Sequence, residues 1–361
     1  MTQQATASPQ AARIARYKGE ILKHAMPQEV IGRVGVSAKK QVPKNVSETV
    51  TYRRWLPKGA AAATPNTWSV DPATHRLNEG ETIAGEGLIA QDISVSLQEY
   101  GVLYRYTNRV ADLYEDDVPK EMRRMTGERM GLLLEMIRWG QLKAGTNVFY
   151  PTSAITSRSS VGSIATHVIN ANTMRRVGRS LSNNLAMKIT AVLDGSGKIG
   201  TQPIEAAYIV VCHTDLEADL RALSSSGSTF VHISEYGTRQ AIHPNELGSW
   251  EQFRFVTSPH LTPYLQQGAV AAANLLLSNG APGSGANASD VYPLVVMAEE
   301  CYGDVTLRGM DSFNVTVIDS NIKTKDDPFG QRGYIGASMY FNAVRLNEGQ
   351  MAVVEVAASA L

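Results

Sequence analysis

The most regular apolar pattern in the chain runs from Asp117 to Ala144, DVPKEMRRMTGERMGLLLEMIRWGQLKA. Met122, Met125, Arg129, Leu133, Met136 and Gly140 recur at three- and four-residue steps, and Met130, Leu134 and Ile137 widen the stripe. Asp117 suits the N-cap, because its carboxylate can accept from the unpaired amides of a first turn. Pro119 fits that turn, and Gly145 is placed to end the helix. The spacing predicts one helix over 118–144, roughly 40 Å long at the standard rise. Ordinary helices have about 11–12 residues, so this one either forms a long core helix or spans a whole domain. Its flanks decide which.

Before the helix the pattern changes to strict alternation. ETVTYRRW (48–55) and IAQDISVSLQEYGVLYRYTNRV (89–110) predict strands, the second being one long strand or two, with Ile93, Val95 and Leu97 on one face. Between them, Leu56 to Leu88 is rich in Ala, Gly, Pro, Thr and Asn and poor in core formers. So long a connection does not suit a compact domain. The physical solution is a two-stranded arm projecting from the body. An isolated hairpin is only marginally stable, so such an arm needs a surface supplied by neighbouring chains. Further upstream, Ile14, Tyr17, Ile21, Leu22 and Ala25 share one face of a short helix that must end before Pro27.

After the helix, NANTMRRVGRSLSNNLAMKI (170–189) predicts a second helix with Met174, Val177, Leu181, Leu185 and Ile189 on its apolar face. Arg175, Arg176 and Arg179 lie off that face. From Ala206 the chain alternates between short helices and apolar strands: AAYIVVCH, FRFVTSP, YPLVVMAEECYGDVTLRG, NVTVIDS, YIGASMYFNAV and MAVVEVAA. SNGAPGSGANASD reads as a surface loop and DDPFGQRGY (326–334) as a Pro/Gly turn. There is no fixed-period repeat.

Composition narrows the class. Hydrophobic residues make up 43 %, enough for a core, while only 19 % are charged, which is low for a free-standing monomer. Lys+Arg and Asp+Glu are both 34, and zero net charge favours association. The charge is uneven. Residues 1–46 hold eight basic residues (Arg13, Arg16, Lys18, Lys23, Arg33, Lys39, Lys40, Lys44) against Glu20 and Glu29, a basic arm of +6. Two cysteines, Cys212 and Cys301, rule out a disulfide scaffold and read as buried thiols. No secretory signal interrupts this picture, and no apolar run is long enough for a membrane span.

Candidate chemistry is sparse. DGSGK (194–198) lacks the glycine spacing of a phosphate loop, and Ile199 stands where Ser or Thr is required. HTD (213–215) is better explained by Thr214 or Asp215 capping a helix than by a catalytic group. No GxSxG, HExxH or CxxC occurs, and the seven His have no metal-ligand spacing. Neither an enzyme nor a cofactor site is expected. Arg53, Arg54 and Trp55, a possible stacking platform for nucleic acid, alternate along a strand and read better as interface or core contacts.

The order of parts, a basic arm, a long hairpin, a long helix and a mixed half with returning strands, resembles the HK97-like fold of tailed-phage major capsid proteins. The blocks TYRRW (51–55), LNEGET (77–82), QEYG (98–101), AAYIVVCHTDLEADLR (206–221), NELG (245–248), YPLVVMAEECYG (292–303) and DPFGQRG (327–333) are similar to those of the phage N4-like major capsid family. The resemblance implies an α+β HK97-like fold with an N-terminal arm (1–46) and an extended E-loop (47–109). A P domain would comprise 110–203 and 335–361, with the spine helix at 118–144, and an A domain 204–334. It implies a structural subunit that self-assembles into hexamers and pentamers of an icosahedral capsid in the virion, made in the host bacterial cytoplasm.

The implied partners are further copies of the chain, separate scaffolding and portal proteins, decoration proteins, and packaged double-stranded DNA held without sequence readout. No membrane, metal or cofactor is implied. Interface candidates are Arg53, Arg54, Trp55, Glu79, Tyr100, Arg129, Asp327 and Arg332, and basic-arm candidates are Arg13, Arg16, Lys18, Lys23, Lys39 and Lys40. A cleaved N-terminal scaffolding region and a cross-link through Lys58 are not expected. The alternatives are an encapsulin-like compartment of the same fold and, less well supported, a soluble α/β hydrolase.

Overall fold

The alternation and the long helix both recur in the computed structural model. It describes residues 21, 29–34, 37–56, 72–73, 75–77, 79–80, 87, 89–113, 117–193, 201–225, 227–237, 241–278, 288–309, 313–323, 325 and 327–360. In chain order the main elements are β1 (Ala38–Val42), β2 (Thr49–Leu56), β3 (Ile89–Ser96), β4 (Gln98–Thr107), α1 (Val118–Leu142) and α2 (Ala171–Asn183). They continue with β5 (Ile189–Leu193), β6 (Thr201–Cys212), β7 (Glu246–Trp250), β8 (Phe253–Thr257), β9 (Tyr292–Met297), β10 (Tyr302–Leu307), β11 (Phe313–Ile318), β12 (Arg332–Arg345) and β13 (Met351–Val356).

Two sheets organise the body. In the first, β12 is central: β10 and β11 pair along successive parts of it, β4 pairs with it over ten residues from Arg332↔Thr107 to Phe341↔Gln98, and β1 joins parallel to β10. In the second the order is β7, β8, β6, β9, β13, with Val148–Phe149 at one edge, and β5 pairs with β6. The strands of the second sheet are buried on both faces, which is why they read as unbroken apolar runs. Tyr208, Val210, Phe253, Phe255, Leu294 and Val354 pack against α2, while their neighbours Ile209, Val211, Val256, Val295 and Val353 pack toward α1.

The chain passes between the sheets more than once. β9 lies in the second sheet and β10, after a turn with Glu300 at φ 53°, in the first. β12 is in the first sheet and β13 in the second. β10 therefore pairs with β1 and β13 with Val148–Phe149, both remote in sequence, and the two sheets do not divide the chain into continuous blocks.

The long helix starts and ends close to the expected positions. The Asp117 carboxylate accepts from the Lys120 amide at 3.1 Å, and Pro119 lies in the first turn. The buried stripe is different from the one that apolar spacing picks out. Thr126, Gly127, Met130, Gly131, Glu135, Arg138, Trp139 and Leu142 are buried, whereas Met125, Arg129 and Gly140 are exposed and Leu133 is half-buried. The cause is tertiary. The helix packs Met130, Leu133 and Leu134 on the first sheet, and Trp139 and Leu142 on the second. The contact face also carries two charged residues that an apolar count ignores.

Gly145 does not end α1 through a left-handed conformation. A Cβ there would lie 2.6 Å from Met351 Cε and 2.9 Å from Val353 Cγ2, so its role is close approach to β13. α2 ends at Asn183, six residues before the expected limit, because Leu185 turns into the left-handed region at φ 53° and Ile189 begins β5. At HTD, His213 is the cap: its Nδ1 accepts from the Asp215 amide at 3.2 Å, and Asp215 instead accepts from the Tyr292 hydroxyl. The expected short helix around 14–25 lies outside the described residues apart from Ile21, and so do most of 57–88 and the DGSGK turn.

Candidate assembly interface

The alternation of TVTYRRWL makes β2 a strand with two unlike faces. Val50 and Tyr52 turn toward the body, and Thr51, Arg53 and Trp55 turn away. β3 pairs with it antiparallel from Thr49↔Ser96 to Leu56↔Ile89. Val95 and Leu97 join Tyr52, Val42 and Val305 in a small cluster that roots the ribbon on β1 and β10. The Tyr52 hydroxyl donates to Ala38 O at 3.0 Å, and Lys40 Nζ donates to Thr51 O at 3.0 Å. Burial next to Asp304 pushes the Tyr52 phenol up to about 12, so it stays a donor at any ordinary pH.

Away from this root the ribbon is open. Arg53 donates two hydrogen bonds of 2.8 Å to Asp92 across the strands, with Trp55 beside it. Trp55 is 58 % exposed and Ile89 is 50 % exposed. Arg54, Ile93, Tyr52, Leu346 and Asn347 line a hollow of about 510 Å³ between the ribbon and the body. Two-stranded ribbons with no third strand are marginal in water.

The outer face of α1 is charged and open. Arg124 bonds Glu121 and Glu128, and Arg129 Nη1 donates to the Tyr104 hydroxyl at 3.2 Å with its guanidinium 5.6 Å from that ring. The Tyr100 hydroxyl donates to Gln98 Oε1 at 2.7 Å. Asp327 accepts from the Arg332 amide at 2.9 Å within the Pro/Gly turn, and the Arg332 side chain is exposed. Glu79 is exposed in a turn beside Gly80, whose φ is 83°.

The eight interface candidates are thus not one site. Arg53, Arg54 and Trp55 share the ribbon, Arg129 and Tyr100 lie on α1 and β4, and Asp327 and Arg332 lie in the turn that opens β12. Lys39 and Lys40 belong to β1, whereas Arg13, Arg16, Lys18 and Lys23 lie outside the described residues.

Several buried charged contacts have no counterpart in that set. Arg138 bonds Glu29 at 3.0 Å and Asp304 at 3.2 Å, and both Glu135 carboxylate oxygens accept from the Ile31 amide. Arg158 bonds Glu355, with its guanidinium 3.5 Å from the centre of the Tyr264 ring. The one signal for them in the sequence is charge inside locally apolar stretches, at Glu135 and Arg138 in MGLLLEMIRW (130–139) and at Glu355 in MAVVEV.

For catalysis the arrangement offers little. Burial pushes the Cys212 and Cys301 thiols up to about 12, which leaves them protonated and unreactive. Among the described residues no group of three or more His, Cys, Asp or Glu could hold a metal ion, and no helix is long and apolar enough to cross a membrane.

No family profile matches the chain. The major capsid protein of Pseudomonas phage KPP21 is 26 % identical over 275 residues, 73 % of this chain and 66 % of that protein, so the match spans slightly under two thirds of the relative. Among solved structures, the capsid of Ralstonia phage GP4 superposes with a TM-score of 0.60 at 12 % identity, covering 91 % of this chain and 88 % of the other. The Cyanophage Pam1 capsid asymmetric unit gives 0.57 at 12 % identity, with 92 % of each chain covered. The chain has the α+β, HK97-like fold of tailed-phage capsid proteins, and its sequence is similar to that of a phage major capsid protein.

Proposed function

We propose that the chain is a structural, non-enzymatic subunit of an icosahedral phage head, assembling with copies of itself into hexamers and pentamers that enclose double-stranded DNA. The observation that carries this reading is the ribbon of β2 and β3. It is rooted by a small apolar cluster at one end, carries Trp55 and Ile89 exposed, and belongs to a fold shared with capsid proteins. A neighbouring subunit supplies the surface the ribbon lacks.

Separate scaffolding, portal and decoration proteins are proposed as further partners, and the basic segment 1–46 as a contact with DNA or an adjacent subunit. The virion is the proposed location. The narrower kinship with the N4-like branch rests on the sequence blocks alone.

The test is deletion of residues 59–87. The expected result is a folded chain that no longer forms shells in electron micrographs, and normal particles from the deletion would overturn a role in assembly for the segment that joins β2 to β3. Particles from the intact chain that hold protein cargo instead of DNA would favour the compartment reading.

A further inference from the structure

The contact between residues 29–34 and α1 is built from an excess of buried acid. Among the described residues Arg138 is the one cation bonded within it, through Nη1 to Glu29 at 3.0 Å and through Nε to Asp304 at 3.2 Å. One turn earlier, Glu135 is fully buried and accepts from the Ile31 amide at 2.9 and 3.2 Å. Three carboxyls therefore surround one guanidinium. Asp304 Oδ1 is buried with no hydrogen-bond partner among the described residues. Substitution has little room, since a Cβ on Gly32 would lie 2.4 Å from Arg138 Nη1 and 2.5 Å from Glu29 Oε2.

We propose that Glu135, Arg138, Glu29 and Asp304 form a protonation-sensitive latch holding residues 29–34 on the long helix, closed while Glu135 carries a proton and loosened once it ionises. The charged groups of the cluster come from the three elements packed together here. Arg138 on α1 and Glu29 on the held segment act on Glu135 itself, Asp304 and the buried Tyr302 on β10 act on Arg138, and Arg33 on the held segment acts on His243. His243 lies on the loop before β7. Glu135 changes charge near neutrality. Burial, with a smaller push from Glu29, raises its carboxyl to about 7 against the pull of the Ile31 amide and Arg138. Burial beside Arg33 lowers the His243 imidazole to about 4, so it is already neutral in this range, and burial raises the Tyr302 phenol.

The direction follows from linkage. An acid whose pKa is higher in the closed state than in the open one favours closure at low pH, and that preference is lost as pH rises through the closed-state value. Between the open-state and closed-state pKa values, the closed-to-open ratio falls about tenfold for each pH unit. The released segment leads into β1, which carries Lys40 and the Tyr52 contact, so opening also slackens the root of the ribbon. The latch is a property of one chain and does not depend on the capsid reading.

Hydrogen exchange by mass spectrometry tests it. Full-length chain is compared at pH 5.5 and 8.5, with labelling times scaled for intrinsic exchange. Opening of the peptide covering 29–34 is expected to rise at least about tenfold between these values, while the peptide covering β9 stays unchanged. E135Q keeps an acceptor for the Ile31 amide without a titrating proton, so it should remain closed at both. A pH response that persists in E135Q, or a wild-type chain with no response at 29–34, overturns the latch. Should E135Q not fold, the wild-type comparison decides alone.

Discussion

Arg254 and Glu246 face each other across adjoining strands, with Nε–Oε1 at 2.7 Å and Nη2–Oε2 at 3.1 Å, both side chains almost wholly out of water. The Tyr236 hydroxyl and the Ile242 amide also donate to the same carboxylate, so it is fully engaged. Removing one partner strands the other charge in the interior. Arg254→Met or Glu246→Leu alone should each cost about 3–5 kcal/mol, and the double substitution considerably less than the sum. Chemical denaturation of the four proteins measures this, and additive losses would show that the two charges do not depend on each other.

The glycines of α1 and the bend after it give opposite expectations. A Cβ on Gly140 meets nothing within 4 Å. Gly140→Ala should raise stability by up to about 1 kcal/mol through helix propensity. Gly145→Val crowds Met351 and Val353 and should destabilise by about 1–3 kcal/mol. Thermal melting of the unassembled chain reads both. A loss of particles in Gly140→Ala, with stability raised, would mean that a neighbouring subunit approaches this exposed part of the helix.

His243 sets an acid limit to stability. Its imidazole is lowered to about 4, chiefly by burial, while the unfolded chain titrates near the ordinary value. A base with a depressed folded pKa contributes stability above about pH 6.5, and this is lost as pH falls from there to about 4. The loss should be on the order of 2–3 kcal/mol. Glu135 acts in the opposite sense between its unfolded range and about 7, so the comparison is between wild type and His243→Gln, not between pH values of one protein. Equal slopes of stability against pH in the two proteins would remove His243 as the cause.

Trp55 separates folding from assembly. It is 58 % exposed and contributes nothing to the apolar root of the ribbon, so Trp55→Ser should leave the melting temperature within experimental scatter. Shell formation followed by light scattering and electron microscopy should fall sharply. Tyr52→Phe should do the reverse, weakening the root through loss of the bond to Ala38 O by about 1 kcal/mol while leaving the outer face intact.

Much of this architecture is local in origin and could be read from the chain alone. Strict alternation at 49–56 and 89–96 produced a two-faced ribbon, and a capped run from Asp117 a helix of 25 residues. The apolar runs AAYIVVCH and MAVVEV became strands buried on both faces. Periodicity of 2 or 3.6 residues reflects which face of one element is dry, and it needs no partner to be recognised. What it cannot show is where one element serves two sheets. The face of α1 is defined by Val102 and Met339 along one half and by Ile209 and Val353 along the other, so its buried stripe departs from the apolar spacing and takes in Glu135 and Arg138. A buried charge is tolerated only where remote groups answer it. Glu29 and Asp304, 275 residues apart along the chain, meet at Arg138 in a part of the fold where β1 pairs with β10. The sequence alone determined the ribbon, the helix and the strands, and the tertiary structure decided which of their charges are held together.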